Sequence, residues 1–281
     1  MRQDTDGTKI PSLPRRQKGS IGKMSTMKKF VFVCVLLAGF FPVIVYAQEN
    51  PLLSEEFWRT AIVEDVAKIL DRGADIEARD EYGFTPLHWA VQFSKTPVIV
   101  DVLLDSGSNI DAKAGGGFTP LHLAAGNSET LEVIEVLLDR GADIEARDEY
   151  GRTPLHWTMT YSKTPEVVAL LLDKGADIES RARNGGTPLH VAASNNEMPE
   201  VIEVLLDRGA NIEARDEYGR TPLHWAAAYS KKPEVVTLLL DRGANAKAED
   251  EEGETPFVYA KEAQHLKESN VYWRLNEAQY Q

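Results

Sequence analysis

A four-residue motif recurs at one fixed interval along most of this chain, and that interval restricts the possible folds more than any other feature. Thr-Pro-Leu-His begins at five threonines spaced 34 residues apart: Thr85, Thr119, Thr153, Thr187 and Thr221. Leu-Leu-Asp-x-Gly recurs with the same period and ends at Gly107, Gly141, Gly175, Gly209 and Gly243. A shared period of this length indicates a repeat protein, in which each unit packs against its neighbours.

Each repeat predicts a pair of helices. Thr85 is typical of a helix N-cap, and Pro86 suits the first helical position, so the first helix should run roughly from Pro86 to Phe93. The second helix opens at a proline in most units and carries apolar residues at three- and four-residue spacing. Gly209 and its equivalents are typical of a left-handed C-terminal cap that ends this helix.

Over about 74–260 the repeats resemble ankyrin repeats, through Gly-Ala-Asp-Ile-Glu-Ala-Arg-Asp, Tyr-Gly-Arg-Thr-Pro-Leu-His and Val-Val-x-Leu-Leu-Leu-Asp. The resemblance implies an all-α solenoid of stacked helix pairs joined by loops or hairpins. The family's usual period is about 33 residues, and the additional residue here should fall between the helices, near Ser94–Pro97.

The motifs divide the chain into an N-terminal extension with a signal peptide, two capping repeats and five full repeats. Glu55–Asp75 has the second-helix pattern without Thr-Pro-Leu-His, and the last unit replaces the motif histidine with Val258. We expect a monomer. The predicted boundaries are 1–47 for the extension, 48–79 for the N-terminal cap, 80–113, 114–147, 148–181, 182–215 and 216–249 for the repeats, and 250–281 for the C-terminal cap.

The first 47 residues predict export. Lys28 and Lys29 precede an apolar run that ends in Val-Tyr-Ala, which is typical of a secretory signal peptide cleaved after Ala47. The alternative is an uncleaved membrane anchor at 30–46. Initiation is open between Met1, Met24 and Met27, and export to the periplasm cannot be distinguished from secretion.

Composition and motifs argue against nucleic-acid binding and catalysis. The net charge of −13 repels phosphate. The sequence contains no serine elbow, no phosphate-binding glycine loop, no zinc-protease helix and no cysteine pair. Acidic runs at 77–81, 145–149 and 213–217 include arginines and should lie in solvated loops. The motif histidines are His88, His122, His156, His190 and His224. Equivalent residues of stacked units lie too far apart for these histidines to share a metal ion. The resemblance implies instead that they hydrogen-bond the loops.

A second period of 68 residues marks a candidate binding surface. Alternate units carry aromatic residues at the loop tip and at the end of the first helix, whereas their tryptophans, Trp89, Trp157 and Trp225, should pack in the core. Either a duplication copied side chains that stack within their own unit, or they contact a partner. The candidate protein-binding residues are Tyr82, Phe84, Phe93, Tyr150, Arg152, Tyr161, Tyr218, Arg220 and Tyr229.

These observations predict a non-enzymatic scaffold, without cofactor or metal, that binds another protein through the concave face formed by loop tips and first helices. Two alternatives belong to other classes. One is a membrane-tethered structural spacer in the cell envelope. The other is a carboxylate- or metal-dependent hydrolase that uses the loop carboxylates.

Overall fold

The computed structural model describes residues 50–94, 96–127, 131–161, 164–195, 199–264, 266–267, 269–278 and 280. Within these ranges every regular element is a helix and none is a strand, so the predicted all-α repeat fold is confirmed. None of the described helices has the length and apolar character needed to cross a bilayer. The predicted extension and signal peptide at 1–47 lie outside the described residues.

The helices form two rows that alternate along the chain. The first helices of the units are α1 (Glu55–Thr60), α3 (Pro86–Phe93), α5 (Pro120–Gly126), α7 (Pro154–Tyr161), α9 (Pro188–Asn195), α11 (Pro222–Tyr229) and α13 (Pro256–Glu262). The second helices are α2 (Val63–Asp71), α4 (Pro97–Asp105), α6 (Leu131–Asp139), α8 (Pro165–Asp173), α10 (Pro199–Asp207), α12 (Pro233–Asp241) and α14 (Asn270–Ala278). A short 3-10 helix, Pro51–Leu53, precedes α1.

The Thr-Pro-Leu-His motif begins each full first helix by capping it. Thr85 is the N-cap of α3, and its backbone N–H donates to Nδ1 of His88 over 3.2 Å. Pro86 occupies the first helical position, where the missing N–H has no intrahelical partner to lose. Histidine therefore takes the place that glutamate or glutamine has in an ordinary capping box.

A glycine ends each second helix of the full repeats in the left-handed conformation. Gly209 has φ +93°, which a residue with a Cβ adopts only with strain. Its N–H donates to Leu206 O over 3.0 Å, and the next N–H, of Ala210, donates to Leu205 O over 2.9 Å. The last carbonyls of α10 are thereby satisfied, and the chain turns towards the next loop.

The core lies between the two rows and is continuous along the stack. α3 packs on α5, α5 on α7, α7 on α9 and α9 on α11, while α4, α6, α8, α10 and α12 form a parallel series of neighbours. Leu87 and Leu121 from the first helices, and Val100 and Ile134 from the second helices, are fully buried. Because each unit buries its apolar side chains against the adjacent units, stability is distributed along the stack.

The two terminal units depart from the repeat. The pattern over Glu55–Asp75 is divided into α1 and α2, because Ser54 caps α1 and the chain leaves the helix at Ala61. Trp58 of α1 is buried and donates its Nε1–H to Leu52 O over 2.8 Å. At the other end α14 begins at Asn270, three residues later than the 34-residue interval would place it.

Candidate protein-binding face

The loop tip, the residue at the turn before each first helix, is tied to the next unit by its own backbone. The tip carbonyl of Tyr82 accepts from Gly115 N over 2.8 Å, and that of Tyr150 accepts from Arg183 N over 2.9 Å. The same bond joins Gly116 to Glu149, Asn184 to Glu217, and Tyr218 to Glu251. The tips therefore form a ladder whose spacing is set by backbone hydrogen bonds.

Close approach of these backbones requires glycine beside the tip. Gly185 has φ +75°, and a Cβ at this position would lie 2.6 Å from Glu217 N. Any larger residue would thus push the fourth and fifth repeats apart at the tip, in addition to straining the turn.

The arginines of the acidic loops make a second ladder. Nη1 of Arg147 donates to Gly151 O in its own loop and to Arg181 O in the next, over 2.9 and 2.6 Å. Arg79, Arg181 and Arg215 repeat this arrangement, each donating to a carbonyl 34 residues later. Although these side chains lie at the surface, they are bound to the neighbouring loop, whereas the sequence predicted only solvated charges.

Carboxylates make a third set of links between units. Glu145 Oε1 accepts from Asp177 N over 2.8 Å, and Glu179 Oε1 accepts from Asn211 N over 2.7 Å. Because burial outweighs these contacts, the pKa of Glu145 is raised. These two loop carboxylates therefore bind backbone amides of the next unit.

The motif histidines connect each first helix to the following loop. Nδ1 of His156 accepts from Thr153 N over 3.2 Å, and its Nε2 lies 3.2 Å from Gly186 O. His88, His122, His190 and His224 make the equivalent contacts to residues 30 positions later. This geometry requires the neutral ring with its proton on Nε2.

Burial disfavours the charged form of these rings. Burial lowers the histidine pKa to about 4 in four units, at His88, His122, His156 and His190. The hydrogen bond to the carbonyl acts in the opposite direction and raises each pKa, but its effect is smaller. The pKa of His224 is lowered for the same reason. In the described part of the chain, no three His, Cys, Asp or Glu side chains are arranged to hold a metal ion.

An aspartate, buried in the third and fifth repeats, supports each aromatic loop from below. Asp216 Oδ1 accepts from the backbone N–H groups of Tyr218 and Arg220, each over 2.9 Å. Its Oδ2 accepts from Trp225 Nε1 over 2.8 Å. Asp80 with Trp89 and Asp148 with Trp157 repeat the contact. The tryptophans of the third and fifth repeats are 5% and 2% exposed, so they are core residues with one polar anchor.

An arginine lies between the tip tyrosine and the tryptophan in the third and fifth repeats. The guanidinium carbon of Arg220 is 4.7 Å from the centre of the Tyr218 ring and 5.6 Å from that of Trp225. Arg220 also pairs with Asp216 over 2.8 Å. Arg152 has the same three partners, Tyr150, Trp157 and Asp148. Both predicted arginines therefore orient a tyrosine within their own unit.

The first repeat has Phe84 at the arginine position and holds its tip tyrosine less closely. The Phe84 ring packs on His88, Trp89 and Phe118, with ring centres 5.5 to 5.8 Å apart. Tyr82 is 64% exposed, whereas Tyr218 is 50% exposed and Tyr150 is half-buried. A partner would therefore find the most accessible tyrosine at the N-terminal end of the row.

The aromatic residues at the ends of the first helices lie against the tryptophans. Phe93 stacks on Trp89 with ring centres 5.3 Å apart, and Arg59 of the preceding unit lies 5.0 Å from the Phe93 ring centre. Tyr161 and Tyr229 contact Trp157 and Trp225 at 5.3 and 6.3 Å. Tyr229 keeps 37% of its surface exposed. These side chains pack within their units and also border the face that the tips form.

Sequence reasoning missed these aspartates, although the chain contains a pattern that could have revealed them. An aromatic hydrogen-bond donor follows nine residues after the aspartate in four units: Asp80 and Trp89, Asp148 and Trp157, Asp216 and Trp225, and Asp250 and Tyr259. The second and fourth repeats have neither member of the pair. Their residues at these two positions are Ala114 with Leu123, and Ala182 with Val191. Such joint presence and absence indicates a direct contact.

Comparison with known proteins agrees with this architecture. A family model described as ankyrin repeats (3 copies) matches in five overlapping segments: 60–148, 95–182, 130–216, 159–250 and 210–269. The matches together extend from residue 60 to residue 269. No curated protein matches the chain in sequence.

Proposed function

The chain belongs to the ankyrin-repeat family, whose repeats generally serve as protein-binding modules, and we propose that it is a non-enzymatic scaffold that binds a partner protein. Binding takes place on the concave face formed by the loop tips and the first helices. The observation that carries this proposal is the row of tip tyrosines, of which Tyr82 and Tyr218 are 64% and 50% exposed. Tyrosine is among the residue types that dominate binding energy at protein interfaces.

The support beneath the tips favours binding. Three contacts hold Tyr218 in place. Its carbonyl accepts a hydrogen bond from the next unit, and its N–H donates to Asp216. The guanidinium of Arg220 stacks on its ring. Because these contacts hold the residue in place, we expect partner binding to immobilise little further motion. The loop tips therefore offer tyrosine contact area at low entropic cost.

The charge of the chain restricts the partner. A net charge of −13 disfavours nucleic acid, because the acidic chain repels its phosphates. We propose that neither cofactor nor metal takes part, and that the unbound chain is a monomer.

We also propose that the protein is exported and that its signal peptide is removed after Ala47. The support is the basic pair Lys28-Lys29, the apolar run and the Val-Tyr-Ala ending. Mass spectrometry of the protein from its own cells will measure the N-terminus. A mature start at Gln48 is expected, and a chain that keeps 30–46 would replace export with membrane tethering.

Crosslinking in intact cells, followed by identification of the attached proteins, tests the binding face. We expect one partner to crosslink to the native chain and to be lost from the variant Tyr82→Ala/Tyr150→Ala/Tyr218→Ala. The matched control replaces three exposed apolar residues outside the face, Ile62, Val98 and Trp273, with alanine. If the tyrosine variant folds and retains the partner, the proposed face is wrong.

A further inference from the structure

We propose that the pocket between the loops of the fifth repeat and the C-terminal unit binds an arginine side chain of a partner protein. This inference rests on the proposed function, because it identifies one contact of the same face. The pocket is open to solvent, has a volume of about 170 Å³, and is lined by Tyr218, Arg220, Glu252, Glu254 and Tyr259. That space exceeds what a single water needs and accommodates a side-chain end group.

The chain itself shows twice how such a loop holds a guanidinium. In the third and fifth repeats the group lies between a tip tyrosine and a core tryptophan and pairs with the buried aspartate. Flat stacking and a directed ion pair suit the planar guanidinium better than the compact ammonium of lysine. The arrangement is therefore a structural template for arginine recognition within this fold.

The C-terminal unit keeps the aspartate and the aromatic donor of this template and lacks the cation. Tyr259 takes the tryptophan position and donates its hydroxyl to Asp250 Oδ2 over 2.6 Å. Glu254 stands where Arg220 stands one unit earlier, and Glu252 stands at the tip. Relative to the fifth repeat, Glu254 thus replaces the internal cation and Glu252 replaces the tip tyrosine.

The carboxylates of the pocket are available to an external cation. Glu252 and Glu254 are exposed, and among the residues that the structure describes neither side chain is paired with a lysine or arginine. Arg220 is already paired with Asp216, so it leaves the local excess of negative charge in place. The hydrogen bond from Tyr259 helps to hold the pKa of Asp250 below its ordinary value, against the opposing effect of burial. The site therefore combines two carboxylates with two phenol rings.

The rings and carboxylates define how the arginine is bound. The rings of Tyr218 and Tyr259 line the pocket and supply contact surface for the guanidinium, although the Tyr218 ring also contacts Arg220. Glu252 and Glu254 accept its N–H groups in charge-assisted hydrogen bonds. The uncharged urea of citrulline has nearly the same shape and lacks the charge, so it separates electrostatic recognition from shape.

The test measures binding of the tripeptide acetyl-Gly-Arg-Gly-amide to the full chain by NMR titration of tyrosine ring resonances. A ligand this small should bind with a Kd on the order of 1 mM. The citrulline tripeptide should bind at least about fivefold more weakly, and Glu252→Gln/Glu254→Gln should weaken the arginine tripeptide to a similar degree. The ring resonances of Tyr218 and Tyr259 should shift most.

The matched control, Glu166→Gln/Glu200→Gln, removes the same charge from two exposed helix starts elsewhere on the chain. It should leave the affinity within about twofold of the native value. The proposal is overturned if arginine and citrulline tripeptides bind alike, or if both double variants weaken binding equally. The variant Tyr82→Ala/Tyr150→Ala leaves the pocket intact, so loss of the partner from it alone would support the face without the pocket.

Discussion

The third and fifth repeats differ from the second and fourth at the two positions that join the loop to the first helix. The former pair a buried aspartate with tryptophan, as in Asp216 and Trp225, whereas the latter pair alanine with leucine or valine, as in Ala182 and Val191. In the fourth repeat the loop is closed by Asn184, whose side-chain oxygen accepts from Gly186 N over 3.1 Å.

The same loop backbone is therefore stabilised by two different sets of side chains. The aspartate set carries a stacked arginine and an aromatic tip, and the alanine set presents Gly116 or Asn184 at the tip. The helix boundaries agree to within one residue, and the histidine contacts are the same in both. The units therefore differ in the surface of the loop and in the side chains that support it. The interior that they share should respond alike to acidification.

Acidification should give the largest effect and should not distinguish the two kinds of repeat. The histidine pKa values lie near 4 in the folded chain for repeats of both kinds, against an ordinary value of 6.5. Their contribution to stability is complete above pH 6.5 and is lost as the pH falls towards 4. Each histidine should reduce the unfolding free energy by about 1.4 kcal/mol per pH unit in this window.

Urea denaturation at a series of pH values measures this slope. His156→Gln in the third repeat and His190→Gln in the fourth should each lower stability at neutral pH and flatten the acid slope by the same amount. Unequal flattening would show that the two interiors differ after all.

Replacing the buried aspartate should separate the two kinds of repeat most clearly at neutral pH. Asp216→Ala leaves the Trp225 indole N–H and two backbone N–H groups without their acceptor, and we expect a loss of roughly 3 kcal/mol. Thermal or urea denaturation will measure it.

A double-mutant cycle sharpens the comparison. Asp216→Ala/Trp225→Leu recreates the pair found in the second repeat, so it should cost about 1 to 2 kcal/mol less than the sum of the single changes. Strict additivity would mean that the aspartate and the tryptophan do not support each other.

Removing the stacked arginine should have the smallest effect. Arg220→Met leaves Asp216 with its three N–H donors, and we expect a loss of about 2 kcal/mol from the broken ion pair and ring contacts. Arg183→Met changes an exposed arginine in the fourth repeat and should stay within about 0.5 kcal/mol of the native value. Chemical denaturation compares the two, and equal losses would contradict the structural role of Arg220.

Much of the fold could be predicted because its determinants are local. Proline, threonine and glycine act through the residues beside them, so the boundaries of α3 and the turn at Gly209 follow directly from the motif. The division of Glu55–Asp75 was not predicted, because Ser54 and Trp58 lie outside the repeat pattern and make contacts of their own. The late start of α14 likewise has no repeat motif to mark it.

The candidate face was predicted as residue types at tips and helix ends, and the binding role of those residues stays a prediction. Their partners were not predictable from spacing alone. Arg147 and Glu145 looked like solvated charges because a sequence does not show which backbone groups the next unit brings within reach.

The sequence by itself determined the 34-residue period, the helix pairs and the alternation of aromatic and small tips, because all three are written in short-range patterns. Only the tertiary structure decided that Asp216, Arg220 and Tyr218 form one cluster, since their contacts depend on how the loop folds back over its own helix. It also decided that the loop charges join neighbouring units. Stacking sets those distances, and no single repeat contains them.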